Sequence, residues 1–299
     1  RGLPEDHETI GLGLISDFYS PEPDHNRITG EVLRILLDGG YAVNVLTKSA
    51  AVLHDVDLLR RFALHDRVRV TVTILSLDDH RASQIEGCAP PPNDRLDVVR
   101  SLNDAGVPTG IAVTPIIPFV TDDVRELARL VSEAKRDGAA WVLFSGLDPV
   151  PSFMENPCMR TVRSRYDDEE ILNSRYRTIK RSMVDLLQGH GISMRVPRMK
   201  GNPGDAGFHN RMVSEFLFNI SYLYELNGSP LQSKRYERAA ASIEGLDSPI
   251  KPIVFRNDLG YIRGINPDIE QVIRDILTSG GSTLCEELQD RLTGVTRYG

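Results

Sequence analysis

Cysteine is scarce in this chain: Cys88, Cys158 and Cys285 are the three in 299 residues, odd in number and far apart. That excludes a disulfide scaffold and a zinc site with C-x-x-C spacing, and a reducing, cytoplasmic setting fits best. Long apolar runs are missing as well. No stretch approaches the roughly 20 apolar residues that a membrane helix needs, and Arg1-Gly2-Leu3-Pro4 lacks the apolar core of a secretory leader. Positive charge is in deficit: 35 Lys and Arg face 42 Asp and Glu, a net charge of -7. The chain therefore has no overall cationic field for neutralising phosphates, which disfavours nucleic acid as a partner. What remains, 40% hydrophobic and 26% charged residues, is the composition of a globular chain of one or two domains and excludes disorder, fibres and coiled coils.

Short β-branched and apolar runs at residues 10–15, 42–46, 68–75, 109–117 and 139–144 alternate with helical patterns, the βαβ rhythm of an α/β fold with a parallel sheet. Ile111-Ala112-Val113 and Trp141-Val142-Leu143-Phe144 are continuous apolar runs, as strands buried on both faces should be. Thr121 reads as an N-cap, with Val124, Leu127, Leu130, Val131 and Ala134 at helical spacing up to Gly138. Asn93 reads as the cap of a helix with Leu96, Val99 and Leu102 inward and Gly106 at its end. Further helices are expected at 29–38 and 176–188, and a sixth strand at 192–196. The turn formers Lys200-Gly201-Asn202-Pro203-Gly204-Asp205 then place a boundary between a domain at 1–199 and a helical one at 200–299. In the latter, Phe208, Met212, Phe216 and Ile220 share one face and Ile269, Val272, Ile273 and Ile276 another, the second framed by Asn266, Pro267 and Gly280.

In parallel barrels the working groups stand where strands end, and polar residues gather there: Ser16-Asp17-Phe18-Tyr19-Ser20-Pro21, Thr47-Lys48-Ser49, Thr73 with Ser76 and Asp78, and Thr114-Pro115. Lys48 is the most suggestive. A lysine leaving a buried strand holds a ligand carboxylate, acts as an amine nucleophile if desolvated, or simply pairs with Asp17 or Asp78. Asp17 is a ligand contact or a helix cap, and Tyr19 a contact or a packed ring. Other patterns are discounted. Gly11-Leu12-Gly13 lies inside a strand and lacks the third glycine of a dinucleotide loop. Asn219-Ile220-Ser221 and Asn227-Gly228-Ser229 match a glycosylation sequon without a secretory leader, and the histidines have no metal spacing. Cys88 has no resolving thiol close in sequence. The stretch from Arg160 to Arg181 interleaves Arg163, Arg165, Arg175, Arg177 and Lys180 with Tyr166 and Tyr176, a pattern that could track phosphates. Asp167, Asp168, Glu169 and Glu170 interrupt it and favour a self-paired surface.

Taken in register, Ser16-Asp17-Phe18-Tyr19-Ser20-Pro21, Val45-Leu46-Thr47-Lys48-Ser49, Asp55-Val56-Asp57-Leu58-Leu59, Val72-Thr73-Ile74-Leu75-Ser76-Leu77-Asp78, Ala89-Pro90 leading to Arg95-Leu96, and Val113-Thr114-Pro115-Ile116-Ile117-Pro118 with Asp122 resemble the radical S-adenosylmethionine proteins of the spore photoproduct lyase-like group. The resemblance covers about residues 9–145. It implies a partial (β/α)6 TIM-type barrel whose first β/α unit is missing here, followed by a smaller helical C-terminal domain. It also implies S-adenosylmethionine beside a [4Fe-4S] cluster, an external electron donor, and reductive cleavage to a 5'-deoxyadenosyl radical that abstracts hydrogen from a substrate. Carried over, Asp17 and Tyr19 fall near the methionine amino group, Lys48 at the methionine carboxylate, Thr73 where the group has serine, and Thr114-Pro115 near the adenosine. The C-x-x-x-C-x-x-C loop that binds the cluster is absent from residues 1–299, and the resemblance places it upstream of Arg1. Gly30, Pro23 and Thr121 depart from the group's arginine, glutamate and asparagine. Two other readings accompany this one: an aldolase-type lyase with Lys48 as Schiff base, and a non-catalytic barrel that binds a ligand or protein.

Overall fold

The computed structural model describes residues 9–19, 23–87, 89–147, 151–205 and 207–293. Ser20, Pro21 and Cys88 lie outside them. The chain divides into two compact units, Arg1–Pro197 and Arg198–Gly299.

The first unit is an α/β layer built on five parallel strands in the order β1-β2-β3-β4-β5: β1 Thr9–Leu12, β2 Ala42–Thr47, β3 Val68–Thr73, β4 Thr109–Ile116 and β5 Val142–Gly146. Strand order follows chain order, so every crossover steps one strand in the same direction across the sheet. The crossovers are helical: α1 Pro23–Asp38, α2 Val56–Ala63, α3 Asp79–Glu86, α4 Pro92–Asp104 and α5 Val124–Arg136. The short α6 Pro151–Met154 and the long α7 Glu169–Gly189 follow β5. Every residue of β3, the central strand, is buried, which its alternation of Val with Arg and Thr does not announce. Arg69 is accommodated there because its guanidinium meets Asp66 at 2.7 Å and donates to the carbonyls of Val68 and Pro197. Val43, Val70, Ile111, Leu59, Val99 and Leu130 form the heart of this core, each buried aliphatic contributing about 1.5–3 kcal/mol.

Several boundaries differ from the expectation, each for a local reason. The first strand stops at Leu12 because Gly13 takes φ +86° and passes so close to β2 that a Cβ there would sit 1.9 Å from the Leu46 carbonyl oxygen. Leu14 and Ile15, expected in the strand, are exposed, and Gly13 follows the strand rather than lying within it. Helix α5 is capped by Asp123, which accepts from Arg125 and Glu126, and not by Thr121, whose buried hydroxyl accepts from the Ile117 amide. Helix α4 begins at Pro92 after Pro91, with no side-chain cap from Asn93. Helix α1 starts at Pro23 rather than near 29. Helix α7 starts at Glu169, where Asp168 caps the Ile171 amide and two glutamates favour the positive helix end.

The fifth strand runs later than expected: the Ala139 amide still bonds back to Ala134 at the end of α5, and Ala140 and Trp141 meet β4 at Thr109 and Ile111 just before the strand begins. Trp141 stands just before it, filling the space that Gly110 leaves open: a Cβ on Gly110 would lie 2.4 Å from the indole. The expected sixth strand reduces to a single bridge between Ser193 and Trp141. The Ser193 hydroxyl bonds the Arg195 backbone and so competes with ladder pairing.

The second unit is helical among its described residues: α8 Phe208–Leu226, α9 Pro230–Glu244, α10 Ile250–Phe255, α11 Pro267–Ser279 and α12 Thr283–Thr293. Its own core gathers Val213, Leu217, Ile220, Ala239, Ile243, Ile269 and Ile273. The buried face of α8 runs through Asn210, Val213, Leu217 and Ile220; of the expected stripe, Ile220 is in the core, Met212 and Phe216 flank it, and Phe208 packs edge-on against His209. Asn210 is buried because its amide serves the chain around α10, donating to Ser248 and accepting from the Ile250 amide. Helix α11 has the expected frame: Asn266 accepts from Ile269, Pro267 opens it and Gly280 closes it at φ +75°. No described helix is long and apolar enough to cross a membrane.

Candidate functional site

All five strands point the same way, so their C-terminal ends form one rim, and register fixes which residues share it. Leu12 pairs with Val45, Thr47 with Val72, Thr73 with Ala112, and Ile116 with Gly146. The loops after β1 and β2 are tied together by Asp17. Its carboxylate accepts from the Tyr19 amide at 3.0 Å, from the Thr47 hydroxyl at 2.8 and 2.9 Å, and from the Lys48 amide at 2.8 Å. Asp17 is therefore neither a helix cap nor the partner of the Lys48 ammonium; it orders the backbone from which Lys48 leaves. Tyr19 is 2% exposed, and its hydroxyl donates to Asp55 at 3.2 Å. Burial, then the Asp55 charge, pushes the phenol well above its usual range and keeps it a donor.

The Lys48 side chain is 43% exposed and its Nζ lies 2.9 Å from Glu86 Oε1. Neither Asp17 nor Asp78, the two expected partners, holds the ammonium: Asp78 instead caps α3 through the Arg81 amide, a bond that lowers its carboxyl. The Glu86 carboxylate, 3% exposed, is shared with Arg95, whose Nη1 lies 2.7 Å from Oε2. Arg95, 1% exposed, also donates to the carbonyls of Pro90 at 2.7 Å and Thr73 at 2.9 Å. Thr73 thus joins the rim through its carbonyl and is itself buried. Thr114 is half-buried, and its hydroxyl is hydrogen-bonded to that of Ser145 on β5. Arg95 enters the sequence reading only as a piece of the family resemblance, and Glu86 carries no reading there. The available signal was an acid at the last position of a short helix, where the negative helix end disfavours it.

Further along the rim, Asp122 is buried against Arg175, and Arg165 and Arg175 stand over the Phe119 ring at 5.1 and 5.6 Å. The rings of the basic stretch are committed to the fold: Tyr166 donates to the Pro118 carbonyl at 3.0 Å and Tyr176 to that of Leu147.

A [4Fe-4S] cluster needs three thiolates close together. Cys158 is half-buried in the first unit, with its thiol pushed up by burial, and Cys285 is buried in the second. Among the described residues no three His, Cys, Asp or Glu groups gather to hold a metal, so the residues described here do not fit the cluster.

No family model matches the chain. It is 35% identical over 129 residues to an uncharacterized protein of Acidianus two-tailed virus, covering 42% of each chain. An uncharacterized protein of Mycobacterium tuberculosis is 26% identical over 140 residues, 47% of this chain and 41% of that one. A third relative, an uncharacterized protein of Methanocaldococcus jannaschii, is 29% identical over 113 residues, 38% and 42% of the two chains. The matched stretch thus spans less than half the length of these curated relatives. Among solved structures, Streptococcus suis SuiB bound to S-adenosylmethionine matches at TM-score 0.32 and 11% identity, over 56% of this chain and 48% of that one. A monomeric dihydrodipicolinate synthase variant matches at TM-score 0.25 and 10% identity, over 94% and 98%. Likenesses this slight decide neither fold family nor chemistry.

Proposed function

We propose that the first unit is a partial (β/α)6 barrel that holds S-adenosylmethionine on its C-terminal rim, as part of a radical S-adenosylmethionine enzyme. The observation that carries this reading is Lys48: a half-exposed ammonium at the end of a buried parallel strand, on a backbone ordered by Asp17. An ammonium has three donors; Lys48 is ion-paired with Glu86 at 2.9 Å, and its donors remain available to a ligand carboxylate. In this reading Lys48 receives the methionine carboxylate and Asp17 holds the loop near the amino group. Thr114 stands on the adenosine side, while Tyr19 and Thr73 form the wall beneath. When bound, the cofactor supplies the reactive group; the chain's own residues orient it and exclude water. This reading requires cluster ligands and an electron donor from outside the residues described.

The Schiff-base alternative asks for a desolvated lysine with no ionic partner. A half-exposed Lys48 held by Glu86 is the opposite arrangement. Equilibrium dialysis of the full chain with S-adenosylmethionine tests the proposal. Lys48→Met is expected to weaken binding about tenfold, roughly 1.4 kcal/mol. Absence of binding by the wild type, or equal binding by the variant, overturns it.

A further inference from the structure

We propose that Glu86 is the positioning residue for Lys48, with Arg95 as its anchor, so that the three act as one unit presenting a single positive charge at the rim. The inference deepens the carboxylate-binding reading and rests on it for the identity of the ligand, but not for the behaviour of Lys48 itself.

Four observations converge. Glu86 is almost fully buried and gives one oxygen to each cation, 2.9 Å to Lys48 and 2.7 Å to Arg95. Arg95 is buried and fixed on two carbonyls from different segments, Pro90 and Thr73, so the carboxylate it holds is fixed in turn. Glu86 stands at the C-terminal end of α3, where an acid opposes the helix dipole; helix stability does not account for it. Two cations share one carboxylate, leaving a net single positive charge. Of the three members only Lys48 reaches solvent, at 43% exposure against 3% and 1%. A buried ion cluster is weak evidence of stabilisation, whereas a flexible lysine stem gains a defined position from a rigid counter-charge at its tip. Asp17, the other acid facing this loop, is occupied by the Lys48 backbone amide and the Thr47 hydroxyl.

The test measures Lys48 directly. The full chain is treated with the N-hydroxysuccinimide ester of acetic acid, and acetylation of Lys48 is followed by peptide mass spectrometry against exposed Lys135 as internal standard. An amine in an ion pair must leave it before its nitrogen attacks, so Glu86→Gln is expected to speed acetylation of Lys48 several-fold with Lys135 unchanged. Arg95→Lys, which keeps the charge but loses the planar fork, is expected to move it the same way and serves if Glu86→Gln does not fold. An unchanged Lys48 rate in the folded variants overturns the proposal.

A second readout concerns the ligand: the ratio of affinities for S-adenosylmethionine and its decarboxylated analogue. Glu86→Gln is expected to shrink that ratio, and to have no further effect on it once Lys48 is methionine. A ratio that Glu86→Gln leaves intact overturns the ligand-directed part. If the wild type binds neither compound, the cofactor reading fails while the acetylation rates still decide the role of Glu86.

Discussion

Tyr19 and Asp55 share one hydrogen bond inside the fold, and each changes how the other holds its proton. Burial lifts the Asp55 carboxyl above its usual range, while the Tyr19 hydroxyl bonded to it works in the opposite direction, followed by Arg34 and His54. Because its folded-state value is raised, the folded protein keeps this proton at pH values where the unfolded chain has lost it. Stability therefore falls as pH rises from the ordinary carboxylate range to the folded-state value, and levels off above it. Tyr19→Phe removes the counteracting donor, so the fall becomes larger and extends to higher pH. Near pH 7 the variant is expected to lose about 2 kcal/mol, the scale of a hydrogen bond to a charged group, with a smaller loss near pH 4. Urea unfolding at the two pH values checks this, and equal losses would show that Tyr19 does not act through Asp55. The exchange also shows what single residues disclose: an Asp in a rim loop announced itself, but the partners that define it did not. Lys48 stood out as a charge leaving a buried strand. Its counter-charge is Glu86, an acid on another element with no periodicity to mark it; of the triad, Lys48 stood out by its chemistry and Arg95 only as a piece of the family resemblance.

Secondary-structure elements were legible where their whole length carried one pattern. The strands of the parallel sheet are β-branched and apolar runs, interrupted in β3 by Arg69, Thr71 and Thr73, and they alternate with helices in the βαβ rhythm; their ends differ from the run wherever a backbone turn, as at Gly13, outweighs it. Helix starts divide the same way. Asn266, Pro267 and Gly280 agree with one another and with the structure, whereas Asn93 and Thr121 are polar residues two positions away from the N-caps that form, Pro91 and Asp123. The difference is measurable. Asn266→Ala is expected to cost about 1 kcal/mol through the lost bond to the Ile269 amide, with Asn266→Asp close to wild type. Asn93→Ala, at an exposed position with no capping bond, is expected to stay within about 0.5 kcal/mol. Denaturant midpoints at unchanged slope report both; an equal cost at the two sites would mean that capping does not set the start of α11.

Each compact unit has its own main hydrophobic core, which raises the question of whether the molecule unfolds as one. The chain carries its own reporter. Trp141 is the only tryptophan, fully buried at the start of β5 with its indole N–H donated to Thr71 at 3.0 Å, so its fluorescence follows the sheet. Far-UV circular dichroism follows helix, to which α8–α12 contribute heavily. Ile273 is fully buried in the helical core, and Ile273→Ala is expected to cost about 2–5 kcal/mol through lost burial and the cavity left behind. If each core is its own cooperative unit, part of the dichroism transition moves to lower denaturant while the tryptophan transition keeps its midpoint, and the two probes cease to coincide. A Lys48 acetylation rate unchanged under native conditions would accompany it, since the rim is built wholly from the first unit. Equal shifts in both probes would mean that the cores share one transition, and damage to the helical unit would then reach the rim through global stability.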